Sequence, residues 1–298
     1  MHRSTISVNP LVYDFVQEND HTYNRYKEGK YLLPNDEDEK KRQDMQHDLF
    51  LVTLKGDLHL APLKDQIHHA LDIATGTGIW ATEFAQKYPT TNVIGTDLSP
   101  IQNEYIPRNC KFEIDDIGGG WTYRNPFDYI HGRQLHTCSG DFRSVVQKAF
   151  TALIPGGYIE LQDSLPITCI DDSWNDTAIQ RWAGKMAEGA KKLGVDWTKT
   201  SKYQQWMEDT GFEDIKEVEL VWPTNYWPKD RFQKGLGQLA NEVLKQGLHG
   251  YSIKILTDAY GMNATEISFL LEEVEKDLNN TSIHCCVPIR VIYGRKPE

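Results

Sequence analysis

Two aspartates beside a glycine-rich turn are the residues of this sequence best suited to chemistry. Asp72 lies in a short apolar run, which is followed by the turn sequence Ala74-Thr75-Gly76-Thr77-Gly78. Glycines let the backbone approach a ligand closely, and a helix that starts after them points its amide N–H groups at that ligand. The pattern Gly76-x-Gly78-x-x-Ala81 therefore indicates a nucleotide-type site at the first strand–helix crossover of a parallel sheet.

The charge of Asp72 discriminates between the ligand classes that such a turn binds. A dinucleotide places its pyrophosphate on the turn, where a carboxylate four residues before Gly76 would repel it. S-adenosylmethionine has no phosphate and carries a sulfonium and an ammonium, so the same carboxylate attracts it. The sequence therefore favours a methyl-donor site over a dinucleotide site, and a purely structural turn is the third interpretation.

Asp97, which is followed by Leu98, is the second anchor of the predicted site. It ends an apolar strand pattern and stands 25 positions after Asp72, close to the roughly 20 residues expected of a ribose-binding acid. The alternative is that Asp97 caps a helix. Ser99 can take that role, with Pro100 at the first helical position, which leaves Asp97 free to accept both ribose hydroxyls.

Strand and helix patterns alternate along the middle of the chain. Apolar runs predict strands at 71–73, 93–96, 111–114, 127–131 and 157–161, and helical spacing predicts helices at 79–88 and 142–153. Another helix, at 37–55, precedes them and has Asp36 as its candidate N-cap. This order predicts an α/β fold with a Rossmann-like parallel sheet and helices on both faces.

After residue 163 the alternation loosens. Helices are predicted at 176–193, 202–210, 229–246, 251–260 and 265–278, with strands at 215–221 and 283–293. We expect an N-terminal helical lid segment at 1–60 and one domain at 61–298. Its core, at about 61–221 and 283–298, would carry a helical cap at about 222–282, inserted before the last strand.

Composition bounds the other classes of function. Of the 298 residues, 39% are hydrophobic and 25% charged, as in ordinary globular proteins. The net charge of −11 disfavours nucleic-acid binding, which needs a basic face. The five cysteines form no C-x-x-C pair, and no apolar run approaches the about 18 residues of a membrane helix. We therefore expect a reduced, cytoplasmic protein, or a nuclear one, without nucleic-acid or membrane partners.

Several segments across the chain form a joint pattern. They are Tyr31-x-Leu33-Pro34-Asn35-Asp36, Gln46-His47, His59-Leu60-Ala61-Pro62, Leu71 to Trp80, Val93 to Pro100, Phe112 to Asp116, Pro126 to Arg133, Pro155 to Glu160 and Val291 to Pro297. Together they resemble class I S-adenosylmethionine-dependent methyltransferases, and more narrowly the fungal LaeA-like group of regulators and tailoring methyltransferases of secondary metabolism. The chain departs from this group at Ala74, where glycine is usual, and at Gly118-Gly119-Gly120, which is often acidic.

The resemblance implies S-adenosylmethionine as the cofactor and assigns further residues to it. An acid after the third strand accepts from the adenine amino group in such folds, which points to Asp116 with Ile117, or to Asp115 instead. His131-Gly132-Arg133 would line the donor pocket, and Tyr31 would approach the ligand from the N-terminal lid segment. The donor-binding prediction thus comprises Tyr31, Asp72, Ala74, Gly76, Thr77, Gly78, Asp97, Leu98, Asp115, Asp116, Ile117, His131, Gly132 and Arg133.

The acceptor side is less determined. His131 or His136 could act as general base if the acceptor needs deprotonation, although in-line attack on a sulfonium carbon does not strictly require one. Aromatic residues suit the wall of a pocket for a flat organic acceptor. We assign that wall to Trp222, Tyr226, Trp227 and His59, and treat Trp182 and Met186 as packing residues. No metal is expected. The fifth strand ends Leu161-Gln162-Asp163, without the Asp-Asn pair by which catechol-type methyltransferases bind Mg²⁺.

Three functions are compatible with these motifs. The first is methyl transfer to a small organic acceptor, on O, N or C, in fungal secondary metabolism. The second is a LaeA-like regulatory protein that binds or methylates a protein partner. The third is a methyltransferase-fold enzyme that catalyses a rearrangement instead. A homodimer or another protein partner is possible in each case.

Overall fold

The central element is a mainly parallel β-sheet. In the computed structural model, which describes residues 10–27 and 29–298, its strands run in the order β5-β4-β3-β6-β7-β10-β8, and β9 also pairs with β10. They are β3 (His69–Ile73), β4 (Asn92–Asp97), β5 (Cys110–Ile114), β6 (Phe127–Arg133), β7 (Leu153–Ser164), β8 (Thr168–Cys169), β9 (Glu213–Pro223) and β10 (Cys285–Arg295). Strands β3 to β7 are parallel where they pair, whereas β10 is antiparallel to its neighbours. This confirms the predicted Rossmann-like sheet.

A hairpin and a helix precede the sheet along the chain. The hairpin of β1 (Phe15–Glu18) and β2 (His21–Asn24) was missed by the sequence analysis. It precedes α1 (Glu37–Thr53), which Asp36 caps as predicted by accepting a hydrogen bond from the Glu39 amide. Residues 1–9 and 28 of the predicted lid segment lie outside the described residues.

Six further helices follow α1. They are α2 (Ile79–Lys87), α3 (Phe142–Ala152), α4 (Ala178–Lys192), α5 (Tyr203–Thr210), α6 (Arg231–Tyr260) and α7 (Ala264–Leu278). The predicted break between 246 and 251 is wrong, because α6 runs through it. Glycine inside a helix costs only about 1 kcal/mol, and a Cβ at Gly247 would lie 2.5 Å from Arg42 Cδ, so glycine permits close helix packing there.

Two layers of apolar packing place the site. In the first layer, one group of buried residues joins the sheet to α2 and another joins it to α3 and α5. In the second layer, a further group joins α4, α6 and α7 to one another. Helix α4 therefore packs with the cap helices although it precedes the predicted cap at 222–282. Helix α1 is held between these layers by Leu49 and Phe50, which pack against Trp222 of β9 and Val243 of α6. Among the described residues, no helix combines the length and the apolar character needed to cross a membrane.

Candidate active site

A cavity opens at the carboxyl ends of β3, β4 and β6, and we call it the sheet cavity. It measures about 1130 Å³, including open solvent at its mouth. All residues of the donor-binding prediction line it except Gly78 and Gly132. Residues 24–35 and helix α1 contribute the opposite wall through Asn24, Lys30, Pro34, Asn35, Arg42, Gln43, Gln46 and His47. The parallel strands therefore bring the predicted turn, strand ends and N-terminal lid segment to one place.

The turn after β3 has the backbone conformation that its glycines indicate. Gly76 and Gly78 have φ values of 58° and 78°, and Gly78 is the residue before α2. A Cβ on Gly78 would lie 2.3 Å from the Phe112 ring, so this glycine is needed for close packing rather than for lining the cavity. Ala74 also has a positive φ of 53°, a backbone conformation that glycine adopts more readily than alanine.

Asp72 and His131 form a buried pair on neighbouring strands. Asp72 Oδ1 lies 2.7 Å from His131 Nδ1, and its other oxygen accepts from the Thr75 hydroxyl. His131 is fully buried and stacks on Trp80 with a centroid distance of 3.7 Å and an interplanar angle of 7°. Burial lowers the pKa of His131 to about 4. His131 therefore positions Asp72 and is a poor general base near neutral pH.

Asp97 closes the other side of the turn. Its carboxylate oxygens accept from the backbone N–H of Gly76 and of Ser99, both at 2.9 Å. Burial raises the pKa of Asp97 to about 6. Each oxygen keeps a further lone pair, and the side chain faces the sheet cavity.

The acids after β5 lie beside lysines of the N-terminal lid segment. Lys30 Nζ lies 2.5 Å from Asp116 Oδ2, and Lys27 Nζ lies 3.6 Å from the same atom. Burial works against ionisation of Asp116, but the ion pair with Lys30 holds its pKa below the usual value. Asp115 accepts from the Asp116 amide, and burial raises its pKa. Both acids line the sheet cavity, with Ile117 beside them.

Arg133 connects β6 to helix α1. Its Nη1 lies 2.9 Å from His47 Nδ1, and two further nitrogens donate to Gln162 Oε1. Its guanidinium also stacks over the Phe50 ring at 4.3 Å. Burial lowers the pKa of Arg133 to about 10. The neighbouring Gly132 serves packing, because a Cβ there would lie 2.8 Å from Leu135.

A second cavity, which we call the cap cavity, adjoins the first. It measures about 810 Å³, including open solvent, and shares Gln46, Gln134 and Thr137 with the sheet cavity. Its other walls are Leu49, His136, Ser164, Leu165, Pro166, Ile167, Trp182, Ala183, Met186, Trp197, Trp222, Ala240, Val243, Leu244, Tyr251 and Val287. No aspartate, glutamate, lysine or arginine is among these wall residues. The two cavities thus meet at a polar junction and diverge into a charged and an apolar space.

His136 is the histidine that lines the cap cavity, and a buried carboxylate orients it. Its Nδ1 lies 2.6 Å from Asp163 Oδ1, and its backbone N–H donates to the same carboxylate. Asp163 also accepts from the Tyr203 hydroxyl at 2.8 Å and is buried. His136 Nε2 is 3.4 Å from Ser164 Oγ. An imidazole held at Nδ1 by a carboxylate presents Nε2 to the cavity as a proton acceptor.

The predicted acceptor wall is only partly where the sequence analysis placed it. Trp222 lines the cap cavity and donates to Thr53 Oγ1. Tyr226 is half exposed and Trp227 donates to the Cys285 carbonyl, and neither lines either cavity. These two assignments need correction, because the loop after β9 is held against β10, where Thr224 and Trp227 both donate to the Cys285 carbonyl.

His59 also needs correction. Its ring is held between the Ala61 carbonyl and the Tyr88 hydroxyl, outside both cavities. Conversely, Trp182 and Met186, which were assigned to packing, lie on the cap-cavity wall. Helical spacing alone gave no signal for this, because a residue that lines an internal cavity and a residue that fills a core have the same periodicity. Among the described residues, no three His, Cys, Asp or Glu side chains cluster as metal ligands would.

Comparison with known proteins matches this geometry. Residues 39–217 match a family model described as a methyltransferase domain. Methyltransferase pytC from Aspergillus terreus is 30% identical over 297 residues, covering 99% of this chain and 92% of that protein. Secondary metabolism regulator LAE1 from Cochliobolus heterostrophus is 33% identical over 94% of each chain.

A solved structure shares the fold. It is phosphoethanolamine N-methyltransferase 2 of Haemonchus contortus, in complex with phosphomonomethylethanolamine and S-adenosylhomocysteine. The TM-score is 0.51 at 16% identity, covering 84% of this chain and 53% of that chain. In the present chain, four carboxylates line the sheet cavity beside the glycine turn, which suits a cationic, phosphate-free nucleoside. This chain therefore belongs to the S-adenosylmethionine-dependent methyltransferases.

Proposed function

We propose that this protein methylates a small, largely apolar acceptor bound in the cap cavity, as a tailoring step of fungal secondary metabolism. The observation that carries the proposal is the junction at Gln46, Gln134 and Thr137, where an apolar cavity meets the donor side. An acceptor seated there would lie next to the sheet cavity, at the three residues that the two cavities share. The absence of charged residues from the wall favours an uncharged acceptor of aromatic or polycyclic type.

The donor would occupy the sheet cavity. When bound, S-adenosylmethionine supplies a methyl carbon that is activated by the positively charged sulfur. Asp97 would accept the ribose hydroxyls, and Asp115 or Asp116 the adenine amino group. Asp72, held by His131, would place negative charge beside the cationic end of the ligand.

His136 would act as the general base. Its Nε2 faces the cap cavity, and Asp163 would stabilise the imidazolium that forms when the acceptor loses its proton. Tyr203, which does not line the cap cavity, holds Asp163 in place by a hydrogen bond of 2.8 Å. Alignment of acceptor and methyl group would supply the rest of the rate enhancement.

A regulatory function is the second candidate. The similarity to regulator LAE1, at 33% identity, favours it as much as the similarity to methyltransferase pytC favours tailoring. In that case a side chain of a protein partner would enter the cap cavity in place of a small molecule. The two candidate functions differ in whether a small molecule or a protein receives the methyl group.

Transfer of a radiolabelled methyl group distinguishes the small-molecule function from the regulatory one. Purified protein would be incubated with radiolabelled S-adenosylmethionine, a panel of hydroxylated and amino aromatic compounds, and a protein extract. We expect label in a small molecule, and loss of that transfer in Leu244→Trp, which fills the cap cavity. Leu239→Trp, on the exposed side of the same helix, is the matched control. Label in protein alone, or full activity of Leu244→Trp, would refute the small-molecule proposal.

A further inference from the structure

Gln134 has an unusual position at the junction of the two cavities. It follows β6 and adopts the left-handed conformation, with φ 57° and ψ 32°, although it is not glycine. Such a backbone is strained for a residue with a Cβ, and strained residues concentrate at functional sites. Two hydrogen bonds fix this conformation. The backbone N–H of Gln134 donates to the backbone carbonyl of Gln162 at 2.9 Å, and the Thr137 hydroxyl donates to the backbone carbonyl of Gln134.

The side chain of Gln134 has one free group. Its Oε1 accepts from the Ser164 hydroxyl at 3.2 Å, whereas its Nε2 is buried and has no hydrogen-bond partner among the described residues. Gln134 lines both cavities. A buried N–H without a partner is unfavourable, so this donor is expected to meet a ligand atom.

Ser164 places this donor beside the proposed base. Its Oγ lies 3.2 Å from Gln134 Oε1 and 3.4 Å from His136 Nε2. The junction therefore offers an acceptor atom both a hydrogen-bond donor and a proton acceptor. A hydroxyl group satisfies both, because it has one proton and two lone pairs. A neutral amine has a single lone pair, which a bond from Gln134 would withhold from the methyl carbon.

We propose, building on the proposed small-molecule function, that Gln134 selects a hydroxyl acceptor and that the reaction is O-methylation of a phenol or enol. The acceptor O–H gives its proton to His136 Nε2, and one oxygen lone pair accepts from Gln134 Nε2–H. The other lone pair forms the O–C bond, while the C–S bond breaks and leaves its electron pair on sulfur. The products are a methyl ether, a neutral thioether and a protonated His136, which releases its proton to water.

Binding of 4-nitrophenol tests this role without turnover, because its absorbance reports whether it is ionised. In the presence of S-adenosylhomocysteine, we expect bound 4-nitrophenol to ionise at a lower pH than in solution. Gln134→Glu replaces the N–H by an oxygen, and Gln134→Asn tolerates the left-handed backbone but shortens the side chain. Both variants should remove the ionisation shift and weaken binding by about tenfold to a hundredfold. Gln238→Glu, at an exposed position of α6, is the matched control.

Nitrobenzene, which lacks the hydroxyl, separates this proposal from the one on which it rests. It should bind the wild type and both Gln134 variants with equal affinity. S-adenosylhomocysteine should also have the same affinity for all three proteins. Nitrobenzene binding with no effect of the variants on 4-nitrophenol would overturn the role of Gln134 and leave the cap cavity as an acceptor site. If neither aromatic compound binds the wild type, both proposals are wrong. Loss of S-adenosylhomocysteine binding in the variants would show a structural role for Gln134 and would also overturn the inference.

Discussion

The sheet cavity and the cap cavity share three residues but are built in different ways. The sheet cavity is formed mainly by neighbouring strand ends and turns, with residues 24–35 and helix α1 opposite them, and four carboxylates line it. The cap cavity is formed by side chains from α1, β7, β9, β10, α4 and α6, and those side chains are mainly apolar. The shape of the sheet cavity is thus set largely by local geometry. The shape of the cap cavity depends on packing between distant elements, where substitutions can change it without disturbing the turn.

His136 gives the largest expected difference between the two cavities. In His136→Gln we expect kcat to fall by about 10²- to 10⁴-fold, the usual contribution of a general base. The affinity for S-adenosylhomocysteine should stay unchanged, because His136 lines only the cap cavity. Steady-state kinetics and calorimetry measure the two quantities. His68→Gln, an exposed histidine, is the control, and an equal loss of kcat there would refute the assignment.

Asp97 provides the corresponding test of the sheet cavity. Asp97→Asn should raise the Kd for S-adenosylhomocysteine by about 10- to 100-fold, because hydrogen bonds to a charged group contribute about 1.5–3 kcal/mol. Nitrobenzene binding in the cap cavity should not change, since Asp97 faces only the sheet cavity. Asp65→Asn, at an exposed position, controls for the loss of one charge. A parallel loss of nitrobenzene binding would mean that the cavities are not independent.

The pKa of Asp97 predicts how donor affinity depends on pH. Burial raises this pKa to about 6, so the carboxylate is ionised above that pH and protonated below it. The ionised form accepts the ribose hydroxyls more strongly. The affinity for S-adenosylhomocysteine should therefore fall by about tenfold from pH 7 to pH 5, and Asp97→Asn should remove most of this dependence. Calorimetry across this range measures both slopes, and an unchanged slope in the variant would assign the effect to another group.

The same contrast explains what could be predicted from the sequence. The sheet, its glycine turn, Asp72 and Asp97 were predictable, because a few neighbouring residues determine each of them. The cap cavity was not, because Trp182 on α4 and Trp222 on β9 are about forty positions apart and meet only through tertiary packing. Tyr226 and Trp227 have the residue types of a pocket wall, but the loop that carries them faces elsewhere.

His131 and His136 show the same limit within one strand end. Both were candidates for the general base, and they are five positions apart. In the structure, His131 contacts Asp72 and Trp80 at the sheet cavity, whereas His136 contacts Asp163 at the cap cavity. Gln134 between them gave no sequence signal, because its left-handed backbone and its free N–H depend on Gln162, Thr137 and Ser164.

Ala74 gives the smallest expected effect and the finest test of the comparison. It adopts φ 53°, where a Cβ costs about 1–2 kcal/mol, whereas glycine adds about 0.4–1 kcal/mol of unfolded-state entropy. Ala74→Gly should therefore stabilise the fold by about 0.5 kcal/mol, or raise the melting temperature by about 1–2 °C. Ala187→Gly, the same change inside helix α4, should destabilise by about 1 kcal/mol. Because neither alanine nor glycine has a polar side-chain atom that could contact a ligand, S-adenosylhomocysteine affinity should change less than about threefold in Ala74→Gly. Equal destabilisation in both variants would mean that side-chain contacts of Ala74, and not its backbone, shape the sheet cavity.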